Sequence, residues 1–275
     1  MTILDGKTYA QQLRQELKEK IENSHLQPTL CIINIGDDPA SKVYVRNKEK
    51  ACEEAGILCL TKHFDADATE VAILDYIEFM NSFYGIHAIM VQLPLPKHLN
   101  TIKILNAIAP EKDVDGLTYV QSGKLQHGDD TALVPCTPQG IIKLLKHYDI
   151  ELSGKHCVVI GRSNIVGKPM ATLLLNEDAT VTVCHSKTSN LKEITRTADV
   201  LVVALGKSKF ITADYVKDGA VVVDVGINRH DGKLCGDVDF EAVKDKCSYI
   251  TPVPGGVGVM TVASLLANVV KAAQK

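Results

Sequence analysis

The chain has 275 residues, a formal net charge of −3, 45% hydrophobic residues and eight cysteines. At roughly 100 to 200 residues per domain, this length fits one large domain or two modest ones, with enough apolar side chains for a core in each. The balanced charge excludes an extended nucleic-acid footprint or a membrane-binding face as a dominant feature. We therefore expect a small-molecule partner, with no nucleic acid and no membrane.

The first seven residues contain no basic stretch followed by an apolar core, so neither secretion nor membrane spanning is expected. The cysteines form no Cys-x-x-Cys pair and no Cys/His cluster with the spacing of a zinc site. We predict a cytoplasmic protein without a bound metal, whose cysteines are buried as small apolar side chains.

The first part of the chain alternates between helical and strand patterns. Apolar residues at helical spacing between positions 9 and 21 predict a helix, and the apolar run 30–35 predicts a strand closed by a Gly-Asp-Asp-Pro turn. Helices are then predicted over 41–55 and 70–83, and strands over 57–60 and 86–91. This alternation is typical of βαβ units with a mainly parallel sheet.

Residues 110–137 interrupt this alternation of helices and strands, because they are rich in prolines, glycines and aspartates. A connection of this length is usually a functional loop or a domain junction. Beyond them, a helix is predicted over 139–148, strands over 156–161, 181–184, 200–204 and 220–225, and a last, largely apolar helix over 259–272. The pattern predicts an α/β fold of two α/β domains. The predicted first domain is 1–137 joined by the last helix, 259–275, and the predicted second domain, 138–258, is a Rossmann-type doubly wound parallel sheet.

A candidate nucleotide-binding turn follows the strand at 157–160. Gly161 leads into a helical stretch, the context in which a glycine allows a tight bend and a helix N-terminus faces phosphate. The G-x-G-x-x-G pattern is incomplete, because Ser163 and Val166 occupy its second and third glycine positions. A strand-to-helix turn without a ligand therefore stays open as an interpretation.

The end of the next strand favours NADP over NAD. An NAD site carries Asp or Glu there, against the ribose hydroxyls, whereas this chain has His185, Ser186 and Lys187. A carboxylate would repel a 2′-phosphate, but a hydroxyl, an imidazole and a lysine, joined by Arg162 from the preceding turn, can bind it.

A second candidate site lies in the first domain. Ser41, Tyr44 and Lys48 are spaced i, i+3 and i+7, which places them on one helix face. An isolated helical lysine is usually a surface residue. Here, however, Gln92 follows a buried strand at the edge where open α/β sheets bind ligands, so these side chains can converge.

Two loops add candidate substrate contacts. The loop around Asp115 lacks the complete calcium-loop pattern and is either a surface Asp-Gly turn or a buried carboxylate that binds an aminopyrimidine edge. The segment 251–258 contains two prolines and three glycines, as in a rigid turn or a backbone that approaches a planar ligand.

Together these motifs resemble one family, the bifunctional methylenetetrahydrofolate dehydrogenase/cyclohydrolases. They occur in the family's order over nearly the whole chain: SKVYVRNK from Ser41, VQLPLP from Val91, KDVDG from Lys112, PCTP from Pro135, GRSNIVGKP from Gly161 and TPVPGGVG from Thr251. The chain departs from the family's usual glycine, asparagine and proline at Ala88, Gln121 and Val259.

The resemblance implies a multifunctional oxidoreductase and hydrolase of one-carbon metabolism that supports purine biosynthesis. It also implies that the first domain is the folate-binding catalytic domain and that the active-site cleft lies between the two domains. Such an enzyme oxidises 5,10-methylenetetrahydrofolate with NADP and hydrolyses the methenyl product to 10-formyltetrahydrofolate, typically as a homodimer joined through its nucleotide domains. The implied catalytic residues are Lys48, Tyr44 and Gln92, and the implied folate contacts are Ser41, Asp115, Pro254, Gly255 and Gly256. The implied NADP contacts are Gly161, Arg162, Ser163, Ser186 and Ile227.

Two other functions remain as alternatives. One is a dehydrogenase without the cyclohydrolase step, or an NADP enzyme acting on another small substrate. The other is a noncatalytic NADP-binding sensor, against which the presence of Lys48, Tyr44, Gln92 and Asp115 argues.

Overall fold

The computed structural model describes residues 1–24, 26–230 and 232–274. The chain divides into two compact units, each described by itself below. The first unit consists of Gln12–Cys136 and Val262–Lys275, and the second of Met1–Gln11 and Thr137–Thr261. No helix in the described ranges is both long enough and apolar enough to cross a lipid bilayer.

The strands, in chain order, are β1 (Thr2–Ile3), β2 (Thr29–Ile35), β3 (Leu58–Phe64), β4 (Ala88–Val91), β5 (His156–Ile160), β6 (Thr180–Cys184), β7 (Val200–Val203), β8 (Val221–Asp224), β9 (Asn228–His230), β10 (Lys233–Cys235) and β11 (Tyr249–Ile250). The α-helices are α1 (Gly6–Ser24), α2 (Pro39–Ala55), α3 (Glu70–Ser82), α4 (Thr101–Asn106), α5 (Tyr119–Gln126), α6 (Cys136–His147), α7 (Gly167–Asn176), α8 (Leu191–Thr195), α9 (Phe240–Val243) and α10 (Val257–Ala273). Short 3₁₀ helices lie at Pro110–Lys112, Ala213–Tyr215 and Lys244–Lys246.

The first unit contains a three-stranded parallel sheet in the order β3-β2-β4. Every residue of β2 is buried, as expected for the central strand of a parallel sheet covered on both faces. Helix α2 begins where the Asp38 carboxylate accepts the Ser41 N–H at 2.8 Å, with Pro39 in the first turn. It ends at Gly56, whose φ of +76° suits a residue without a Cβ.

The C-terminal part of α10 contributes to the core of the first unit. Leu265, Leu266 and Val269 pack in one cluster with Leu30 and Ile32 of β2. In the same helix, the Asn268 side-chain amide donates to the Val114 and Val134 carbonyls at 2.8 and 2.9 Å. This amide therefore supports the backbone on both sides of the segment that carries Asp115.

The second unit contains a six-stranded sheet in the order β1-β11-β8-β7-β5-β6, and all its strand pairs are parallel. Strands β7 and β8 are buried along their whole length, which explains their valine-rich, non-alternating sequences. A two-stranded antiparallel hairpin, β9-β10, follows β8. The predicted α/β fold with a parallel sheet in the C-terminal part is confirmed.

Residues 1–11 pack within the second unit of the structure, whereas the sequence analysis includes them in the first domain. Strand β1 pairs with β11, and the Asp5 N–H donates to the Tyr148 hydroxyl at 2.9 Å. They belong to the second unit for that reason. A two-residue strand carries no readable periodicity, so pattern analysis has no means of detecting this pairing.

The segment 110–137 is more regular than its composition indicated. It contains a 3₁₀ helix and then α5, which starts after Thr118, whose hydroxyl accepts the Gln121 N–H at 3.3 Å. Only Gln121 and Leu125 of α5 are buried, so the helix lacks the apolar stripe that identifies a longer helix.

Candidate active site

The structure brings Lys48 and Gln92 together. Lys48 projects from α2, and its Nζ donates to Gln92 Oε1 at 2.9 Å. The Gln92 side chain is buried directly after β4, where its backbone N–H donates to the Ile33 carbonyl at 2.8 Å and its Nε2 donates to the Leu93 carbonyl at 2.6 Å. These bonds fix the amide so that its oxygen faces the lysine amine.

Asp115 lies within electrostatic reach of this pair. Burial raises the pKa of the Asp115 carboxyl above its ordinary range, although the Lys48 charge and a hydrogen bond from Cys136 act in the opposite direction. The Cys136 thiol lies 3.7 Å from Asp115 Oδ1 and 3.4 Å from the Val114 carbonyl. Burial and the Asp115 charge hold the pKa of Cys136 well above its usual value, so this thiol is a neutral hydrogen-bond donor.

Ser41 and Tyr44, the other two residues predicted on this face of α2, are less closely connected to Lys48 and Gln92. Ser41 is buried at the start of the helix. Tyr44 is 44% exposed and lies one turn before Lys48 on the same helix face. Within the described parts of the chain, the Tyr44 hydroxyl makes no hydrogen bond to Lys48 or Gln92, so the structure does not join the three predicted catalytic residues in one network.

Two buried polar side chains hold the loop before Asp115. Asp113 accepts the Thr118 N–H at 2.7 Å, and burial raises its pKa to about 6. Gln121 is fully buried, donates to the Pro110 carbonyl and accepts the Leu133 N–H at 2.8 Å. Gln121 is one of the positions that depart from the family pattern, and it forms a hydrogen bond with one backbone group on either side of the loop.

In the second unit, Gly161 lies in the turn between β5 and α7, where the sequence predicts a nucleotide contact. Its φ is +129°, and a Cβ here would lie 2.4 Å from the Ala204 carbonyl oxygen. Gly167, one position after Val166, provides the close backbone approach expected of the third glycine in the G-x-G-x-x-G pattern. A Cβ on Gly167 would lie 2.3 Å from the Gly161 carbonyl oxygen. Ser163 accepts the N–H groups of Val166 and Gly167 at 3.2 and 3.4 Å, so it replaces a glycine with a hydroxyl that caps α7.

A compact polar turn follows β6. The Lys187 N–H donates to His185 Nδ1 at 3.1 Å, and the His185 N–H donates to the Thr188 hydroxyl at 2.8 Å. Because Nδ1 accepts this bond, the neutral imidazole carries its proton on Nε2. Ser186, Lys187 and, on the neighbouring turn, Arg162 are exposed, and neither cation pairs with an acidic side chain of the described ranges. These groups are free to bind an anion.

The remaining predicted contacts also lie in the second unit. Ile227 is 51% exposed after β8. In the loop of Pro254, Gly255 and Gly256, the Gly255 φ is +105°, and a Cβ on Gly256 would lie 2.6 Å from the Pro252 oxygen. The Lys7 N–H donates to the Gly255 carbonyl at 2.9 Å. The loop is therefore rigidly held, with backbone approaches that only glycine permits.

Comparison with known proteins agrees with both halves of this geometry. Residues 4–115 match the model of the tetrahydrofolate dehydrogenase/cyclohydrolase catalytic domain, and residues 135–275 match that of the NAD(P)-binding domain of the same family. The bifunctional protein FolD of Campylobacter concisus is 55% identical over 278 aligned residues, covering 100% of this chain and 98% of the relative.

Solved structures agree as well. The bifunctional FolD methylenetetrahydrofolate dehydrogenase/cyclohydrolase of Campylobacter jejuni superimposes with a TM-score of 0.98 at 51% identity, covering 100% of this chain and 99% of that one. The Trypanosoma brucei enzyme, complexed with NADP cofactor and an inhibitor, gives a TM-score of 0.94 at 37% identity, with coverage of 100% and 97%. This chain belongs to the tetrahydrofolate dehydrogenase/cyclohydrolase family, which confirms the resemblance seen in its sequence.

Proposed function

We propose that this chain oxidises 5,10-methylenetetrahydrofolate with NADP and then hydrolyses 5,10-methenyltetrahydrofolate to 10-formyltetrahydrofolate, with Lys48 as the catalytic residue of the hydrolysis. The observation that carries the proposal is the 2.9 Å hydrogen bond between Lys48 and the buried Gln92, with Asp115 close enough for its charge to act on the same amine. Family membership supports both activities.

The oxidation requires orientation more than acid or base catalysis. The folate one-carbon bridge loses a hydride and becomes the methenyl cation, and the residues that bind the two reactants set the distance and angle of the transfer. NADP, when bound, supplies the hydride acceptor. The turn at Gly161 leaves no space for a Cβ. Arg162 and Lys187, which pair with no acidic side chain of the described ranges, provide positive charge, so these residues fit the phosphates of NADP.

The hydrolysis requires proton transfers. Water adds to the methenyl carbon and loses a proton, the bond from this carbon to N5 breaks as N5 is protonated, and one proton is released overall. Lys48 in its amine form accepts the proton of the attacking water and can return it to N5, whereas an ammonium would repel the cationic substrate. Gln92 holds the amine in place without adding a charge.

Asp115→Ala is expected to weaken folate binding without loss of NADP affinity. The Asp115 carboxylate can accept two hydrogen bonds from the aminopyrimidine edge of the pterin, each contributing about 1.5–3 kcal/mol, so we expect the KM for folate to rise by about 10²-fold or more. Because burial raises the pKa of this carboxyl, wild-type folate affinity should also fall as the pH is lowered, beginning at a higher pH than for an ordinary aspartate.

Steady-state KM values for methylenetetrahydrofolate and NADP measure this effect. Asp75→Ala, which removes an exposed aspartate from α3, is the matched control and should leave both values unchanged. An Asp115→Ala enzyme with wild-type folate affinity would remove the pterin contact from the proposal.

Cofactor preference tests the assignment of the polar turn after β6. Initial rates with methylenetetrahydrofolate and either NADP or NAD should give a higher kcat/KM with NADP. Arg162→Ala should lower the NADP value by roughly tenfold, because a charge-assisted contact to the 2′-phosphate is lost, and should leave the NAD value nearly unchanged. Arg196→Ala is the control, since Arg196 is exposed at the end of α8. Equal efficiency of the wild-type enzyme with both cofactors would contradict the assignment.

The proposal also includes a cytoplasmic homodimer with no nucleic-acid or membrane partner. In each copy, Lys48, Gln92 and Asp115 lie in the first unit, and the residues proposed to bind NADP lie in the second. A dimer joined through the nucleotide units is supported by β6, an edge strand of the six-stranded sheet with Val183 39% exposed. Leu175 of α7 is 56% exposed nearby in the sequence. These apolar side chains suit contact with a second copy of the chain.

A further inference from the structure

Two buried carboxylates of the second unit have no role in the proposed chemistry. Asp224 is the last residue of β8, and Asp237 follows the β9-β10 hairpin. They are 4% and 0% exposed. No lysine, arginine or histidine of the described ranges pairs with either, so backbone and amide N–H groups must compensate their charge.

Asp237 accepts four hydrogen bonds. Its Oδ2 accepts the N–H groups of Leu205 and Gly206 at 2.6 and 2.9 Å. Its Oδ1 accepts the Lys207 N–H at 2.7 Å and the Asn228 side-chain amide at 2.8 Å. One carboxylate thus binds three consecutive residues after β7 together with the residue that opens β9.

Asp224 binds the backbone of Asp237 and its neighbours. Its Oδ1 accepts the N–H groups of Gly226 and Asp237, both at 2.9 Å, and its Oδ2 accepts the Val238 N–H at 2.9 Å. The packing leaves no space for rearrangement, because a Cβ on Gly236 would lie 1.7 Å from Asp224 Oδ2. A Cβ on Gly226 would lie 2.4 Å from the Asp237 carboxyl carbon.

Both segments held by this pair adjoin the proposed NADP contacts. Ala204, which directly precedes the segment bound by Asp237, places its carbonyl oxygen against Gly161, the glycine of the nucleotide turn. Ile227 lies between Gly226, held by Asp224, and Asn228, held by Asp237. The carboxylate pair therefore fixes the backbone next to two residues expected to contact the cofactor.

We propose that Asp237, supported by Asp224, is a positioning residue for hydride transfer: it fixes the loops after β7 and β8 in the arrangement that orients the nicotinamide cofactor. The inference rests on the proposed function. A carboxylate is required because all four groups that face Asp237 are donors, and an amide at this position would direct its own N–H groups at two of them.

Asp237→Asn tests the inference, because the enzyme's two activities give an internal comparison. The dehydrogenase reaction needs an oriented cofactor, whereas hydrolysis of added methenyltetrahydrofolate does not. We expect dehydrogenase kcat/KM with NADP to fall by about 10²-fold, as for a misplacement of reacting groups by about 1 Å, and cyclohydrolase activity to stay within about twofold of wild type. Asp239→Asn, two residues away and without a cap hydrogen bond on α9, should change neither activity.

Several outcomes would overturn the proposal. Unchanged dehydrogenase parameters in a folded Asp237→Asn enzyme would show that the carboxylate has no positioning role, and an equal loss of both activities would show a general structural one. If Asp237→Asn does not fold, Asn228→Ala removes a single donor and should give a smaller, dehydrogenase-selective loss; an unselective loss there also contradicts the proposal. A wild-type enzyme with no NADP-dependent turnover would instead refute the proposed function itself.

Discussion

Lys48→Met is expected to abolish hydrolysis of methenyltetrahydrofolate while NADP still binds. Methionine keeps the length and the apolar stem of the side chain but removes the nitrogen that donates to Gln92 Oε1 at 2.9 Å. General acid-base catalysis by a positioned side chain contributes about 10²- to 10⁴-fold, so the rate above spontaneous hydrolysis should fall by that factor. The absorbance decay of added methenyltetrahydrofolate measures it directly.

Lys50→Met is the matched control for this substitution. Lys50 lies on the same helix, its side chain is 77% exposed, and its Nζ is 3.9 Å from Glu54. An exposed pair at this distance contributes little, about 0–1 kcal/mol, so both activities should be unchanged. Near-normal hydrolysis by Lys48→Met would eliminate Lys48 as the proton-transfer residue.

Gly161→Ala is expected to remove NADP binding and with it the dehydrogenase activity. The residue has a φ of +129°, and the added methyl group would lie 2.4 Å from the Ala204 carbonyl oxygen. That oxygen belongs to backbone at the end of β7, so relief requires movement of the turn itself. The dissociation constant for NADP, measured by calorimetry, should rise by more than about tenfold, since even 1.4 kcal/mol of misfit has that effect. Hydrolysis of added methenyltetrahydrofolate should persist.

Gly154→Ala separates backbone strain from the steric clash. Gly154 also has a positive φ, +70°, but a Cβ there meets no atom within 4 Å. We expect a loss of stability of about 1 kcal/mol with NADP affinity unchanged. If Gly161→Ala bound NADP as the wild type does, the assignment of this turn to the cofactor would be wrong.

The buried strands were predictable because each is a short, continuous apolar run. The run 30–35 corresponds to β2, Thr29–Ile35, and the predicted strand 200–204 corresponds to β7, Val200–Val203. Pairings made by two-residue strands could not be predicted, since β1 and β11 are too short to show a period. The packing of residues 1–11 within the second unit could not be predicted for the same reason.

The candidate site was predictable where a polar residue directly follows a buried strand, as Gln92 follows β4. Lys48 approaches Gln92 because α2 begins, and β4 ends, at the same edge of the sheet. Asp237 was missed because a single aspartate among glycines is typical of a surface turn. The one available signal was the nearby Gly226 and Gly236, both of which pack against the carboxylates.

One time course tests the central claim most directly. Wild-type enzyme is mixed with 5,10-methylenetetrahydrofolate and NADP, and reduced cofactor, methenyltetrahydrofolate and 10-formyltetrahydrofolate are followed together. The account predicts that reduced cofactor and the formyl product accumulate in equal amounts with little free methenyl intermediate, and that Lys48→Met stops the hydrolysis. Accumulation of methenyltetrahydrofolate in step with reduced cofactor, with only spontaneous decay, would contradict a bifunctional enzyme with Lys48 at its hydrolytic site.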